Sequence, residues 1–407
     1  MDSSVSPSSD GPSSDAPTAG LHHVTAICSD AQRTVDFYVR VLGLRFLKRT
    51  VNFDDPSTYH LYFGDYVGHP GTALTFFAWK NLPPGKPGAG QAVRVAFKVP
   101  EGSLEDWHER LAAGEWRGRF SDWDAELSEP EERFGRRMLR FRDPDGLGLA
   151  LVEREEVAED LQWAEGPVPA GSEGMAIAGF HGVTLAETEL EPAAGVLVDV
   201  LGFRKVAEED EHVLYAARAP EGWGEPGRPG RDPAGDGGPP RDTAVRLGPR
   251  DTVVEVEAAP ESAAGRVAQG SIHHVAYRAA SDDHQDSLRE GARGAGLGPT
   301  PVIDRYYFRS VYFREPGGVL FEVATDDPGF TRDQDPSELG EGLTLPPWLE
   351  PRREMIEAHL DPVEPPSEEA VKAGAGEAVA GTEKGTDEGA GRADGGTDTG
   401  EVEEVRS

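Results

Sequence analysis

Leu21-His22-His23-Val24-Thr25, close to the N-terminus, returns far downstream as Ile272-His273-His274-Val275-Ala276, and a third copy, Phe180-His181-Gly182-Val183-Thr184, lies between them. Each run is short, apolar and β-prone, and each precedes a helical pattern and further strand-like runs. After the first copy, Ser29 or Asp30 is placed to cap a helix reaching about Leu42, with Val35, Phe37, Tyr38, Val41 and Leu42 on one side and Gly43 as its stop. Strands follow near 45–51, 59–63 and 73–77, so the unit is βαβββ. A second unit opens with a strand at 91–99 and a helix at 104–113, and closes around Asp143-Pro144-Asp145-Gly146. The third opens at Ala178, with a helix near 192–201, and the fourth runs from Ile272 to Glu322. A supersecondary unit repeated four times predicts an α+β fold in which four βαβββ modules form two barrel-like halves.

The expected organisation is a disordered leader over 1–18, one pair of modules over 19–160 and a second pair over 170–330. The Gly/Pro-rich stretch 219–240 reads as a disordered insertion, and 331–361 as an ordered arm through Leu345, Trp348, Leu349, Met355, Ile356 and Leu360. Residues 362–407 read as a disordered acidic tail.

The fourth unit ends in Asp304-Arg305-Tyr306-Tyr307-Phe308-Arg309-Ser310-Val311-Tyr312-Phe313-Arg314, a Glu315-Pro316-Gly317-Gly318 turn and Val319-Leu320-Phe321-Glu322. This reads as strand, turn and strand, with Glu322 on the same face as the apolar Leu320. A carboxylate buried there needs a cation or a metal. Aligning the repeats puts His23, Arg94, Gly182 and His274 at one position, and sets Ala150 against Glu322. Only the first and fourth units keep the histidine, and only the fourth combines it with an acid on its last strand. His23, His274 and Glu322 therefore form the coherent set. Two imidazoles and a carboxylate with open positions make the facial arrangement of non-haem Fe(II) oxygenases, although zinc or manganese would take the same donors. The other histidines, His60 and His181 among them, read as packing, structural or surface residues, and Cys28 as a small packing residue.

The chain has 407 residues and a net charge of −34, from 74 acidic and 40 basic side chains. Such an excess argues against nucleic acid or an anionic membrane as partner, and is best tolerated where salt screens it. A single cysteine leaves no intramolecular disulfide, and no run approaches the ~18 apolar residues of a membrane span, so a cytoplasmic setting is expected.

The repeat starts, together with Phe46-Leu47-Lys48-Arg49-Thr50, Tyr59-His60-Leu61-Tyr62-Phe63 and Tyr312 through Glu322, resemble the vicinal oxygen chelate (glyoxalase/extradiol dioxygenase) superfamily. More narrowly they resemble its hydroquinone-type ring-cleaving dioxygenases, over about residues 20–355. The resemblance implies paired βαβββ units and an Fe(II) centre on His23, His274 and Glu322. It further implies a small aromatic diol and O₂ as substrates. Tyr312 and Arg305 would then hydrogen-bond substrate or oxygen, and Thr25, His22 and His273 would stand in the pocket. Strand alternation disagrees in part, because it turns His22 and His273 away from the ligand face while Thr25 shares it. A homo-oligomer is expected. Since the ligands come from units one and four, those units should share a barrel. A glyoxalase-type lyase or isomerase is the alternative, but it needs a further protein ligand that the 73–77 strand does not offer. A non-enzymatic protein binding aromatic compounds or antibiotics would need no such triad.

Overall fold

The computed structural model describes residues 18–113, 119–162, 174–217, 247–259 and 263–365, together with 367, 369 and 371. The expected insertion 219–240, and all but the innermost residues of the expected leader and tail, lie outside the described residues.

The first unit is β1 (Leu21–Cys28), α1 (Ala31–Asp36) continued by a π turn (Phe37–Val41), then β2 (Arg45–Val51), β3 (Tyr59–Gly64) and β4 (Ala73–Ala78). Asp30 caps α1 by accepting from the Arg33 amide at 2.7 Å. Gly43, at φ +72°, ends the segment in a conformation a side chain would strain. The second unit is β5 (Gln91–Pro100), α2 (Leu104–Ala112), β6 (Glu131–Arg133), β7 (Arg136–Arg142) and β8 (Gly148–Arg154). The third is β9 (Phe180–Glu187), α3 (Leu190–Gly195) with its own π turn (Val196–Val200), β10 (Arg204–Glu209), β11 (His212–Ala216) and β12 (Val253–Ala258). The fourth is β13 (Ser271–Ala279), α4 (Asp282–Gly294), β14 (Ile303–Asp304), β15 (Arg309–Arg314) and β16 (Leu320–Thr325).

Among the described residues, sixteen strands form two curled eight-stranded sheets, in the orders β14-β15-β16-β13-β1-β4-β3-β2 and β10-β11-β12-β9-β5-β8-β7-β6. Units one and four therefore share one sheet, and units two and three the other. Each sheet is joined at its middle by an antiparallel pair of repeat-start strands, β1 with β13 and β5 with β9. One face of each sheet feeds a common core: Val24, Ala26 and Cys28 from β1 and Val95, Phe97 and Val99 from β5 pack with Phe37, Trp107 and Leu197 of the helical segments. Truncating one of these large side chains, Phe97 for example, costs about 3–5 kcal/mol. The opposite, concave faces carry the polar groups alongside smaller apolar clusters.

Three expectations are corrected. The run 304–314 is not one strand: β14 stops at Asp304 and β15 starts at Arg309. Tyr306 sits between them at φ +69°, and Asp304 Oδ1 accepts its amide at 2.7 Å. The leader does not extend through residue 18, because Thr18 is fully buried and its hydroxyl donates to the Arg278 carbonyl at 2.6 Å. The ordered arm does not stop at residue 361, because Val363 is buried in the core and the Glu364 amide and carbonyl both bond the Gln32 side chain.

The arm closes the open end of the first sheet. Leu345, Leu349 and Ile356 pack on Val51, whereas Trp348 and Met355 stay half exposed. Asp333 pairs with the buried Lys48 ammonium and accepts from the Tyr307 hydroxyl at 3.0 Å. No described helix is long and apolar enough to cross a membrane.

Candidate metal centre

His23 on β1, His274 on β13 and Glu322 on β16 come from three adjacent strands of the first sheet. Pairing sets His23 and Glu322 level with Ala276 from its two sides, and His274 level with Thr25, so all three side chains emerge from the concave face. They are the one group among the described residues whose His, Cys, Asp or Glu donor atoms converge tightly enough to hold a metal ion. His23 Nε2 lies 3.4 Å and His274 Nε2 2.9 Å from Glu322 Oε2, and the two Nε2 atoms are 3.3 Å apart. Exposure is 1%, 4% and 0%.

The directions of these atoms test the fit. Glu322 Oε1 accepts from the Ser310 hydroxyl at 2.5 Å, but buried Oε2 has no hydrogen-bond partner despite its two nitrogen neighbours. The imidazoles are close enough to Oε2 for an ion pair yet not aligned to donate to it; the two Nε2 atoms face each other, and all three donor atoms converge within one small volume. A buried unpaired carboxylate oxygen is expensive, and a divalent cation at that point would satisfy it. Burial opposes a charge on Glu322, but the two imidazoles outweigh it and hold its carboxyl well below the usual range. Burial also lowers His274. Both directions favour the deprotonated donors that a metal requires.

His22 and His273 occupy the second layer, and the structure resolves the conflict over where they point. The β1–β13 ladder skips one residue on each strand: His22 between the pairs Leu21–Tyr277 and His23–Ala276, and His273 between Ala26–Ile272 and Thr25–His274. Both are β-bulges, where alternation breaks and two successive side chains share a side. His22 Nδ1 is thereby 2.9 Å from His23 Nδ1, and His273 Nδ1 is 2.8 Å from His274 Nδ1. A histidine bound to a metal through Nε2 would carry its proton on Nδ1, and each neighbour would then be the acceptor that fixes tautomer and ring angle.

Tyr312 stands opposite Glu322 in the β15–β16 pair, and its hydroxyl accepts from Arg305 Nε at 3.2 Å. Burial first, and the Glu322 charge next, push the Tyr312 phenol above its usual range, so it remains a proton donor. The left-handed turn at Tyr306 carries Arg305 to this position, where it also pairs with exposed Asp54 at 2.8 Å. The same turn delivers Phe308, whose ring lies 4.8 Å from that of His23.

Thr25 joins a chain that the sequence reading missed. Its hydroxyl is 2.8 Å from that of Thr75, which is 2.9 Å from His60 Nε2, and His60 Nδ1 is 2.8 Å from the Tyr62 hydroxyl. Burial holds His60 well below its ordinary pKa, so it is neutral. His60 is thus part of the pocket and not a surface or packing residue. Alternation of His60 with Tyr62 put them on one face, but only the register Thr25–Thr75 and Tyr62–Thr75 shows that this face is the metal's.

The second sheet repeats this register without the ligands. Gly182, Arg94 and Ala150 occupy the places of His23, His274 and Glu322. A Cβ at Gly182 would lie 2.3 Å from the Val253 carbonyl oxygen, so β9 leaves no room for a histidine there. Among the described residues, the candidate metal centre is confined to one barrel.

Two barrels of paired βαβββ units with this centre match one sequence family over most of the ordered chain. The profile of the Glyoxalase/Bleomycin resistance protein/Dioxygenase superfamily fits residues 20–151 and 179–323. The chain belongs to that superfamily. Within it, the chain is 39% identical over 347 residues to the Bacillus subtilis protein named "Putative ring-cleaving dioxygenase MhqO", covering 85% of this chain and 97% of that one. It is 32% identical over 351 residues to the chlorohydroquinone/hydroquinone 1,2-dioxygenase of Sphingobium indicum, covering 84% of this chain and 97% of the relative. A crystal structure described as a "putative dioxygenase" from Bacillus subtilis superposes with a TM-score of 0.70 at 37% identity, covering 86% of this chain and 99% of that one. This superfamily member therefore matches proteins named as dioxygenases over nearly their whole length.

Proposed function

We propose that the protein is an Fe(II)-dependent, non-haem ring-cleaving dioxygenase that opens a hydroquinone or a related small aromatic diol with O₂. The observation carrying this reading is the convergence of His23 Nε2, His274 Nε2 and the unpartnered Glu322 Oε2 on one buried point. Three protein donors leave coordination positions open for a substrate oxygen and for O₂. Support also comes from the relatives named as ring-cleaving and hydroquinone dioxygenases.

Fe(II) bound there would supply a Lewis acid that acidifies a phenolic hydroxyl and a site where O₂ is reduced. The chain's own residues do the rest. His22 and His273 hold the ligand rings in the required tautomer through Nδ1. Ser310 fixes Glu322 by its Oε1, leaving Oε2 directed at the centre. The Tyr312 hydroxyl, kept protonated by burial and oriented by Arg305, is the proton donor to oxygen-derived anionic charge beside Glu322. Arg305 supplies a fixed positive charge at the same place. The Thr25–Thr75–His60 chain presents a hydroxyl to the other side of the pocket. Phe308 and the closing arm keep water from the reacting atoms.

The direct experiment is oxygen uptake by protein loaded anaerobically with Fe(II), screened across hydroquinones and catechols. Uptake stoichiometric with ring opening is expected, and a His274→Ala variant should show none. An iron-loaded protein that consumes no oxygen with any dihydroxyarene would overturn the proposal.

A further inference from the structure

Arg305 is held at both ends, and the metal centre accounts only for its inner end. Nε donates to the Tyr312 hydroxyl at 3.2 Å, while Nη1 donates to Asp54 Oδ2 at 2.8 Å. Nη2 makes no hydrogen bond among the described residues. In a planar guanidinium Nε and Nη2 share one edge, with Nη1 on the opposite side. Asp54 therefore takes the outer nitrogen and leaves the Nε–Nη2 edge turned to Tyr312, which stands opposite Glu322 in the β15–β16 ladder. The Asp54 side chain is 72% exposed and that of Arg305 21%, so this ion pair contributes little to stability. What it fixes is the direction of a charged fork.

Both turns that meet here are closed without that contact. In the turn between β2 and β3, the Asn52 amide donates to the Thr58 carbonyl at 2.8 Å and the Asp54 amide to Asn52 Oδ1 at 3.0 Å. The Ser57 and Thr58 hydroxyls donate to Asp55, whereas the Asp54 carboxylate takes no part in the turn. In the other turn the Arg305 amide donates to the Phe308 carbonyl at 2.9 Å, and Arg332 stacks on the Tyr306 ring and donates to its carbonyl. Trp348 of the arm braces the two, its ring edge-on to Phe53 at 5.8 Å and to Tyr306 at 5.7 Å. We propose that Asp54 is a positioning residue for ring cleavage: it holds Arg305 so that Nη2, beside the Tyr312 hydroxyl, donates to anionic charge developing on oxygen next to Glu322. This rests on the dioxygenase reading above. Asp54 acts through Arg305 alone, and its negative charge weakens the field of that arginine, so geometry and charge predict opposite signs.

The test compares Asp54→Ala, which removes the acceptor, with Asp54→Asn, which removes the charge and keeps an oxygen for Nη1. In the iron-loaded full-length protein, Asp54→Ala should lower kcat for oxygen uptake about 10-fold and move KM less than about twofold, since misplacement by a full ångström costs ~10²-fold. Asp54→Asn should return kcat to near the wild-type value. In an Arg305→Lys background, where one ammonium cannot span both partners, Asp54→Ala should add little. A second readout needs no metal. In nitrogen–proton NMR of the metal-free protein, the Arg305 Nε–H signal, assigned by its loss in Arg305→Lys, should exchange with water faster in Asp54→Ala and at the wild-type rate in Asp54→Asn. An unchanged or raised kcat in Asp54→Ala, no recovery in Asp54→Asn, an additive loss in the Arg305→Lys background, or an unchanged exchange rate overturns the positioning role. Absence of oxygen uptake by the wild-type protein overturns the dioxygenase reading instead, and is told apart because the exchange measurement does not depend on it.

Discussion

Replacing His22 or His273 with phenylalanine probes the proposed metal centre without touching a proposed ligand. Each ligand ring is proposed to give Nε2 to the metal and to point its Nδ1 proton at a neighbouring histidine, 2.9 Å away for His23 and 2.8 Å for His274. Phenylalanine fills the volume but removes the acceptor, and both sites are buried enough that water does not readily replace it. A buried donor left unpaired costs about 1–3 kcal/mol. Because about 1.4 kcal/mol is a factor of ten in an equilibrium constant, each variant should bind Fe(II) about 10–100-fold more weakly. That matches the range for outer-shell partners of metal-bound histidines. The two effects should be similar in size, since the two bulges place their histidines alike on the two central strands. The assay is anaerobic competition for Fe(II) with a chromophoric chelator, alongside melting curves of the metal-free proteins to separate affinity from folding. Unchanged Fe(II) affinity in both variants, with unchanged melting, would show that the paired histidines do not hold the ligands and would refute the reasoning.

Three further outcomes follow from particular side chains. Tyr312→Phe removes the proton donor but keeps the ring, so kcat for oxygen uptake should fall about 10²–10⁴-fold while KM moves little; an unchanged kcat would remove Tyr312 from the reaction. Glu187 is 1% exposed with Oε1 unpaired, and burial first, then Glu315, pushes its carboxyl up to about 8. The folded state therefore holds this proton where the unfolded chain has released it, and stability falls as pH rises from the ordinary carboxyl value of 4.5 towards about 8. Glu187→Gln should accordingly be more stable than wild type at pH 8, by up to roughly 3 kcal/mol, with the advantage gone at pH 4, as read from denaturant curves at the two pH values. Finally, a net charge of −34 should make unfolding midpoints rise with added sodium chloride; a protein most stable in dilute buffer would contradict the screening argument.

Local patterns carried the four-unit architecture. Alternation and helix stop signals depend on neighbours in the chain, and Asp30, Gly43 and the Glu315-Pro316-Gly317-Gly318 turn act where the chain signals them. The convergence of His23, His274 and Glu322 was legible for a related reason, because a repeat makes distant positions comparable: Glu322 stood out against Ala150, and His274 against Arg94. Tyr306 was not legible, since a non-glycine residue in the left-handed region leaves no reliable mark. Without that turn the placement of Arg305 and Phe308 could not be derived from strand periodicity.

The sequence by itself determined which side chains are available and how each unit folds locally, and through the repeats it named His23, His274 and Glu322. Only the tertiary structure decided what surrounds them. His60 and Thr75 reach the pocket through the pairing of β3 and β4 beside β1, and His22 and His273 turn to the ligands because the β1–β13 ladder is bulged at both. Register and bulges are properties of two strands at once, set by how two distant faces pack, and neither strand carries them alone.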